Sequence, residues 1–175
     1  MQDRGKLARF DQAVVPHLDT AYNLARWLMG SEQDAEDMVQ EACLRAFKFF
    51  HTFQGEDGRA WLLAIVRNTC YTWLRKSRAR ELDTAFEEQI HSVEADAASP
   101  EALLLQKAGR ELLQQLLEQL PTEFREVLIL RELEGMSYKQ ISTIADLPIG
   151  TVMSRLARAR KRLEQQLAMK MKPES

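Results

Sequence analysis

Apolar residues recur every three or four positions along almost the whole chain, while the every-other-residue alternation of a half-buried strand is absent. That pattern predicts an all-α protein. From Leu7 to Met29 a single helix is expected, with Phe10, Val14, Leu18, Tyr22 and Ala25 on one face and Gly30 suited to its left-handed end. Ser31 then offers a cap to the amide near Asp34. The acids Glu32, Asp34, Glu36 and Asp37 complement the positive end of a helix predicted over residues 32–50. The loop Phe53–Gly58 carries two glycines, which permit tight backbone turns. After it a helix is predicted over 59–80, burying Leu62, Ile65, Val66, Thr69, Trp73 and Leu74. On its other side Arg67, Tyr71, Arg75 and Arg78 fall at i, i+4, i+8 and i+11, one exposed basic line containing an aromatic.

Residues 81–99 are acidic and poor in large apolar groups, so they bury too little surface to offset their own ordering and read as a flexible linker. Ser99-Pro100 starts a further helix that ends before Pro121, and another covers 122–134 up to Gly135. Ser137 and Gln140 have the spacing of a capping box, which opens a short helix ending near Ala145. Asp146-Leu147-Pro148 is a turn, and the last helix, over 149–169, directs Ile149, Val152, Leu156, Leu163 and Leu167 inward. The expected organisation is two small helical domains, 1–80 and 100–175, joined by the acidic linker 81–99.

Composition narrows the possibilities. With 175 residues there is room for one or two small domains and none for a large catalytic barrel. No apolar run reaches membrane-spanning length and the first residues lack a signal-peptide core, so a cytoplasmic protein without membrane insertion is expected. Cys43 and Cys70 lie inside apolar helical patterns, and His17, His51 and His91 are scattered, which leaves neither a disulfide framework nor a zinc site. No nucleophilic triad, phosphate-binding loop or dinucleotide turn is present, so neither an enzyme nor a cofactor is expected.

The formal net charge of −2 hides a segregated distribution. Basic residues cluster at Arg59–Arg80 and again at Arg155–Arg162, with the acidic strip between them. The second cluster lies on the second helix of a helix–turn–helix pattern, whose first two turns carry Thr151, Ser154, Arg155 and Arg158 toward a major groove, with Arg162 a turn further on. The bland alternative is an exposed amphipathic helix with a solvated basic face. In the first cluster the arginines attract phosphates without reading sequence, Tyr71 could stack on bases, and Asn68 could read a base edge. There Trp61 and Trp73 are better read as core than as base platforms. A third feature is the stripe Asp34, Asp37 and Glu41, which could dock on a basic partner or simply be solvated.

Four segments in order resemble the bacterial extracytoplasmic-function sigma factors, group IV of the sigma-70 family. Residues 34–47 (DAEDMVQEACLRAF) are similar to the family's core-polymerase-binding segment, and 53–69 (FQGEDGRAWLLAIVRNT) to its promoter-melting loop and helix. Residues 120–138 (LPTEFREVLILRELEGMSY) and 147–160 (LPIGTVMSRLARAR) are similar to the two halves of its domain 4. The resemblance implies that the loop from Phe53 through Gly55 to Gly58 captures an extruded base of the −10 element. Asn68 would contact a neighbouring base, with Arg67, Tyr71 and Arg75 alongside. It further implies that Asp34, Asp37, Gln40 and Glu41 face the β′ clamp helices of core RNA polymerase and that 122–134 meets the β flap. Thr151, Ser154, Arg155, Ala157, Arg158 and Arg162 would lie against the −35 element of promoter DNA, and an anti-sigma factor is an expected partner. Met153 departs from the Arg or Lys common in the family, and Ser142 replaces a frequent Ala. Two other readings stay open on the residues alone: an autonomous helix–turn–helix regulator, and a helical protein that binds only other proteins.

Overall fold

A computed structural model describes residues 2–55, 57–83 and 101–171. Among them every regular element is helical and none is a strand. The helices are α1 (Gln2–Val14), α2 (Leu18–Met29), α3 (Glu32–Lys48), α4 (Gly58–Asp83), α5 (Glu101–Gln119), α6 (Thr122–Leu128), α7 (Tyr138–Ala145) and α8 (Ile149–Met171). A short 3₁₀ turn, Val15–His17, joins α1 to α2, and a second, Phe50–Thr52, follows α3. A π-helical stretch, Ile129–Leu133, continues α6.

The single helix expected over 7–29 is therefore two. Pro16 supplies no N–H, and the chain tightens into the 3₁₀ turn around it before resuming as α2. Gly30 ends α2 at φ +76°, and Ser31 caps α3 by accepting a hydrogen bond from the Asp34 amide at 3.3 Å. The helix α4 runs three residues into the stretch read as linker. The remainder of that stretch, and the helix start at Ser99-Pro100, lie outside the described residues.

In the N-terminal lobe α2, α3 and α4 pack on one another around Leu24, Leu28, Met38, Leu62, Leu63 and Val66. In the C-terminal lobe α6, α7 and α8 enclose Val127, Leu130, Ile141, Ile144, Val152 and Leu156. Burying each such side chain contributes about 1.5–3 kcal/mol. The two cores are continuous, because α4 packs on α7 and α2 on α6.

Several expected core positions differ. Trp73 is 36% exposed, and Ile149 and Leu167 are exposed too, while Leu63, Cys70 and Ala159 are buried. On α4 the buried stripe veers toward Leu63 and Cys70 because the helix is covered from two sides, by its own lobe and by α7. No described helix is long and apolar enough to cross a membrane.

Candidate nucleic-acid interface

The loop after α3 is built on aromatic packing. Phe53 stacks on Phe50 at 5.6 Å and meets Trp61 at 5.1 Å, while Phe10 of α1 touches Phe50 edge-on. Trp61 thus serves the packing, as its position suggested. Gly55 turns the chain at φ +82°, and Asp57 starts α4 by accepting the Ala60 amide at 3.0 Å. That amide, and the Gln140 amide nitrogen donating at 3.2 Å, hold the Asp57 carboxyl below the usual carboxylate range against its partial burial. A cleft of about 1190 Å³ opens beside the loop, bordered by His51, Phe53 and Gly55 of the loop segment and by Lys6, Arg9 and His17 of α1 and the turn after it. Lys6 and Arg9 beside the Phe50 and Phe53 rings are the side-chain types that suit a base with its phosphate. None of those four basic residues stood out in the sequence; Lys6 and Arg9, one turn apart on α1, were the available signal.

The basic line of α4 is not the open face its spacing suggested. Asn68 and Arg75 are exposed, but Arg67 and Tyr71 face the C-terminal lobe. The Arg67 guanidinium lies 4.0 Å from the Tyr71 ring centre, and its Nε–H donates to Glu126 Oε1 at 2.6 Å. The Tyr71 hydroxyl donates to Glu126 Oε2 at 2.7 Å. Glu126 is 0% exposed. Burial would lower the Arg67 pKa, yet the adjacent carboxylate outweighs it and raises it. For Tyr71, burial first and the Glu126 charge second push ionisation well above the ordinary phenol range.

On the C-terminal lobe, Ser137 and Gln140 close a reciprocal capping box at 3.1 and 3.0 Å, which starts α7. Asp146 takes the left-handed conformation at φ 55°, and the Leu147 amide returns to the Ser142 carbonyl at 3.1 Å. The Ser142 hydroxyl donates to the Leu147 carbonyl as well, tying the turn from both sides. This arrangement fixes α8 against α7 in a helix–turn–helix. On α8, Ser154, Ala157, Arg158 and Arg162 are exposed, and Thr151 and Arg155 are half-buried. Met153 joins the outward face at 52% exposure, whereas Arg160 is paired with Glu132 at 2.7 Å.

The third surface is α3. Asp37, Gln40 and Glu41 are exposed and Asp34 is half-buried beside its cap. Glu41 pairs with Arg45 at 2.8 Å, and Leu44, unremarked in the sequence, stands 73% exposed on the next turn. Of the −10 candidates, Phe53 and Gly55 thus lie at the loop, Arg67 and Tyr71 in the seam of the two lobes, and Asn68 and Arg75 on the exposed side of α4, while the −35 and polymerase candidates lie on α8 and α3. Among the described residues no acid, histidine and cysteine cluster could hold a metal ion.

The family described as Sigma-70 region 2 matches residues 13–80, and Sigma-70, region 4 matches 110–163. The chain is 34% identical over 166 residues to the ECF RNA polymerase sigma factor SigE of Mycolicibacterium smegmatis, which covers 95% of this chain and 64% of that one. It is 33% identical to the RNA polymerase sigma-H factor of Pseudomonas aeruginosa, over 94% of this chain and 89% of that one. It is 35% identical to the ECF RNA polymerase sigma-E factor of Escherichia coli K12, over 75% and 72%. Among solved structures, the sigma factor RpoE in complex with the anti-sigma factor NepR from Bartonella quintana superposes with a TM-score of 0.70 at 31% identity, covering 91% and 97% of the two chains. CnrH in complex with the cytosolic domain of CnrY superposes at 0.63 with 26% identity, covering 91% and 88%.

Proposed function

Because the chain belongs to the extracytoplasmic-function (ECF) sigma factors of RNA polymerase, we propose that it directs core polymerase to particular promoters through two readers joined by the acidic segment 81–99. Residues 1–80 bind core polymerase and the −10 element, and residues 100–175 bind the −35 element. In this reading Asp34, Asp37, Gln40 and Glu41 meet the β′ clamp helices, and the α6 region meets the β flap. Phe53 and Gly55 border the cleft that takes an extruded base, whose unstacking costs a few kcal/mol and must be offset by the protein. Asn68, Arg67, Tyr71 and Arg75 continue that contact along α4. On α8, Thr151, Ser154, Arg155, Ala157, Arg158 and Arg162 face the upstream duplex.

The observation that carries the reading is α8: a capped first helix and a doubly tied turn hold a second helix whose Ser154, Ala157 and Arg158 are left open to a groove. The factor works in the cytoplasm as an initiation factor rather than an enzyme and uses no cofactor. Complexes of RpoE with NepR and of CnrH with CnrY support an anti-sigma factor as a further partner. Transcription in vitro with core polymerase over a promoter library tests the proposal: start sites that depend on the added protein are expected. Tight specific binding of duplex DNA without polymerase would favour an autonomous regulator instead.

A further inference from the structure

We propose that Glu126 is a carboxylate latch: it occupies, within the free protein, the α4 donors that nucleic acid would use, and so keeps the C-terminal lobe closed over that face. The inference rests on the reading of α4 as a DNA-binding element and adds how that element is kept from DNA. Glu126 lies in a run whose neighbours Val127, Leu128, Ile129 and Leu130 are all buried and apolar. An ionised carboxylate in such a run is costly to bury unless it is paired and hydrogen-bonded. Both of its oxygens are engaged, and both donors, Arg67 at 2.6 Å and Tyr71 at 2.7 Å, come from the other lobe. A guanidinium and a phenol holding two oxygens of an anion are the donor set that a backbone phosphate would take. Carboxylate and phosphate cannot occupy it together.

Other links close the same seam. Arg59 donates to the Glu134 carbonyl at 2.8 Å, Arg125 to the Trp27 carbonyl at 2.9 Å, and Gln140 to Asp57 at 3.2 Å. Two of these engage the start of α4, beside the loop that borders the larger cleft. Beside the latch a smaller cleft of about 600 Å³ is lined by Arg67, Tyr71, Arg75 and Arg78 of α4 and by Pro121 and Thr122 of the C-terminal lobe. An anion there meets a partial site, and the complete one forms only when the lobes part.

The test compares full-length Glu126→Gln with the wild type and with Glu36→Gln, an exposed α3 substitution that removes the same charge. The probe is a fluorescein-labelled single-stranded DNA of roughly 12 nucleotides and mixed sequence. Glu126→Gln is expected to bind it at least about tenfold tighter than Glu36→Gln, with a salt dependence steeper by about one phosphate contact as Arg67 becomes free. Its radius of gyration in solution scattering is expected to rise. Equal affinity and an unchanged radius would overturn the latch alone; a larger radius with equal affinity would overturn both the latch and the DNA reading of α4. Should Glu126→Gln fail to fold, Glu126→Asp, which draws the carboxylate one methylene back from both donors and leaves Arg67 and Tyr71 intact, decides: a gain in DNA affinity supports the latch, and none overturns it.

Discussion

Gly58 opens α4 directly against α1, and a Cβ there would collide with the Ala13 carbonyl oxygen. Backbone cannot move aside as a side-chain tip would, so Gly58→Ala is expected to cost about 1–3 kcal/mol, measured by thermal or urea unfolding. Gly55, with φ +82° and open space around it, needs its glycine for conformation instead. Ser142 is a second position whose role only the fold reveals. As a replacement for alanine it promises unchanged packing, yet its hydroxyl ties the turn before α8. Ser142→Ala should lower stability by about 1 kcal/mol in the same measurement. The cysteines are both unpaired. Burial, and secondarily the Glu126 charge, push the Cys70 thiol up to about 12, whereas Cys43 is half-buried and raised by burial alone. At pH 8 iodoacetamide should therefore label Cys43 first and leave Cys70 thiol-protonated and inert, as peptide mapping would register.

At the level of elements, the most legible parts were those whose signals are local. The Ser31 cap, the Ser137–Gln140 capping box and the turn at Asp146 all occur where their residue types demand, because each is satisfied within about four residues. Periodicity did less well where a helix has two covered sides. On α4 it assigned Trp73 to the interior and missed Leu63 and Cys70, since the pattern shows that a face is apolar without showing what covers it. The break at Pro16 went unread because an apolar repeat continues across it. For α8 the outward residues were mostly legible, and this is the element on which the proposed −35 contact rests. Arg158→Ala should reduce transcription from promoters with an upstream element by the equivalent of about 1–3 kcal/mol, while promoters lacking that element change little. Loss of equal size on both promoter classes in a run-off assay would count against the assignment.

At the scale of the whole molecule, the seam was illegible. Arg67 and Tyr71 lie 59 and 55 residues before Glu126, and no periodicity links them. In the sequence Glu126 is one more acid in a charged helix; in the fold it is the fully buried partner of both. The closed form should consequently depend on pH in the alkaline range. The charged groups that act on the Tyr71 hydroxyl are Glu126 and Arg67, with Arg125 of α6 close enough to interact, while Arg75 on α4 and Glu123 on α6 line the cleft that Tyr71 borders. Burial and the Glu126 charge raise Tyr71 above its ordinary value of 10.0 when the lobes are closed. A group whose pKa is raised in one state favours that state while protonated, so the contribution is complete below pH 10 and fades as pH climbs toward the raised value. An ionised phenolate would also lose its hydrogen bond to the carboxylate and repel it. Solution scattering across pH 8–11 should find the wild type compact at the lower end and expanding at the upper. Tyr71→Phe, lacking the ionisable proton, should expand less over the same range, which separates this residue from lysines and other tyrosines titrating alongside it. Identical curves for the two proteins would show that Tyr71 does not help to hold the lobes together.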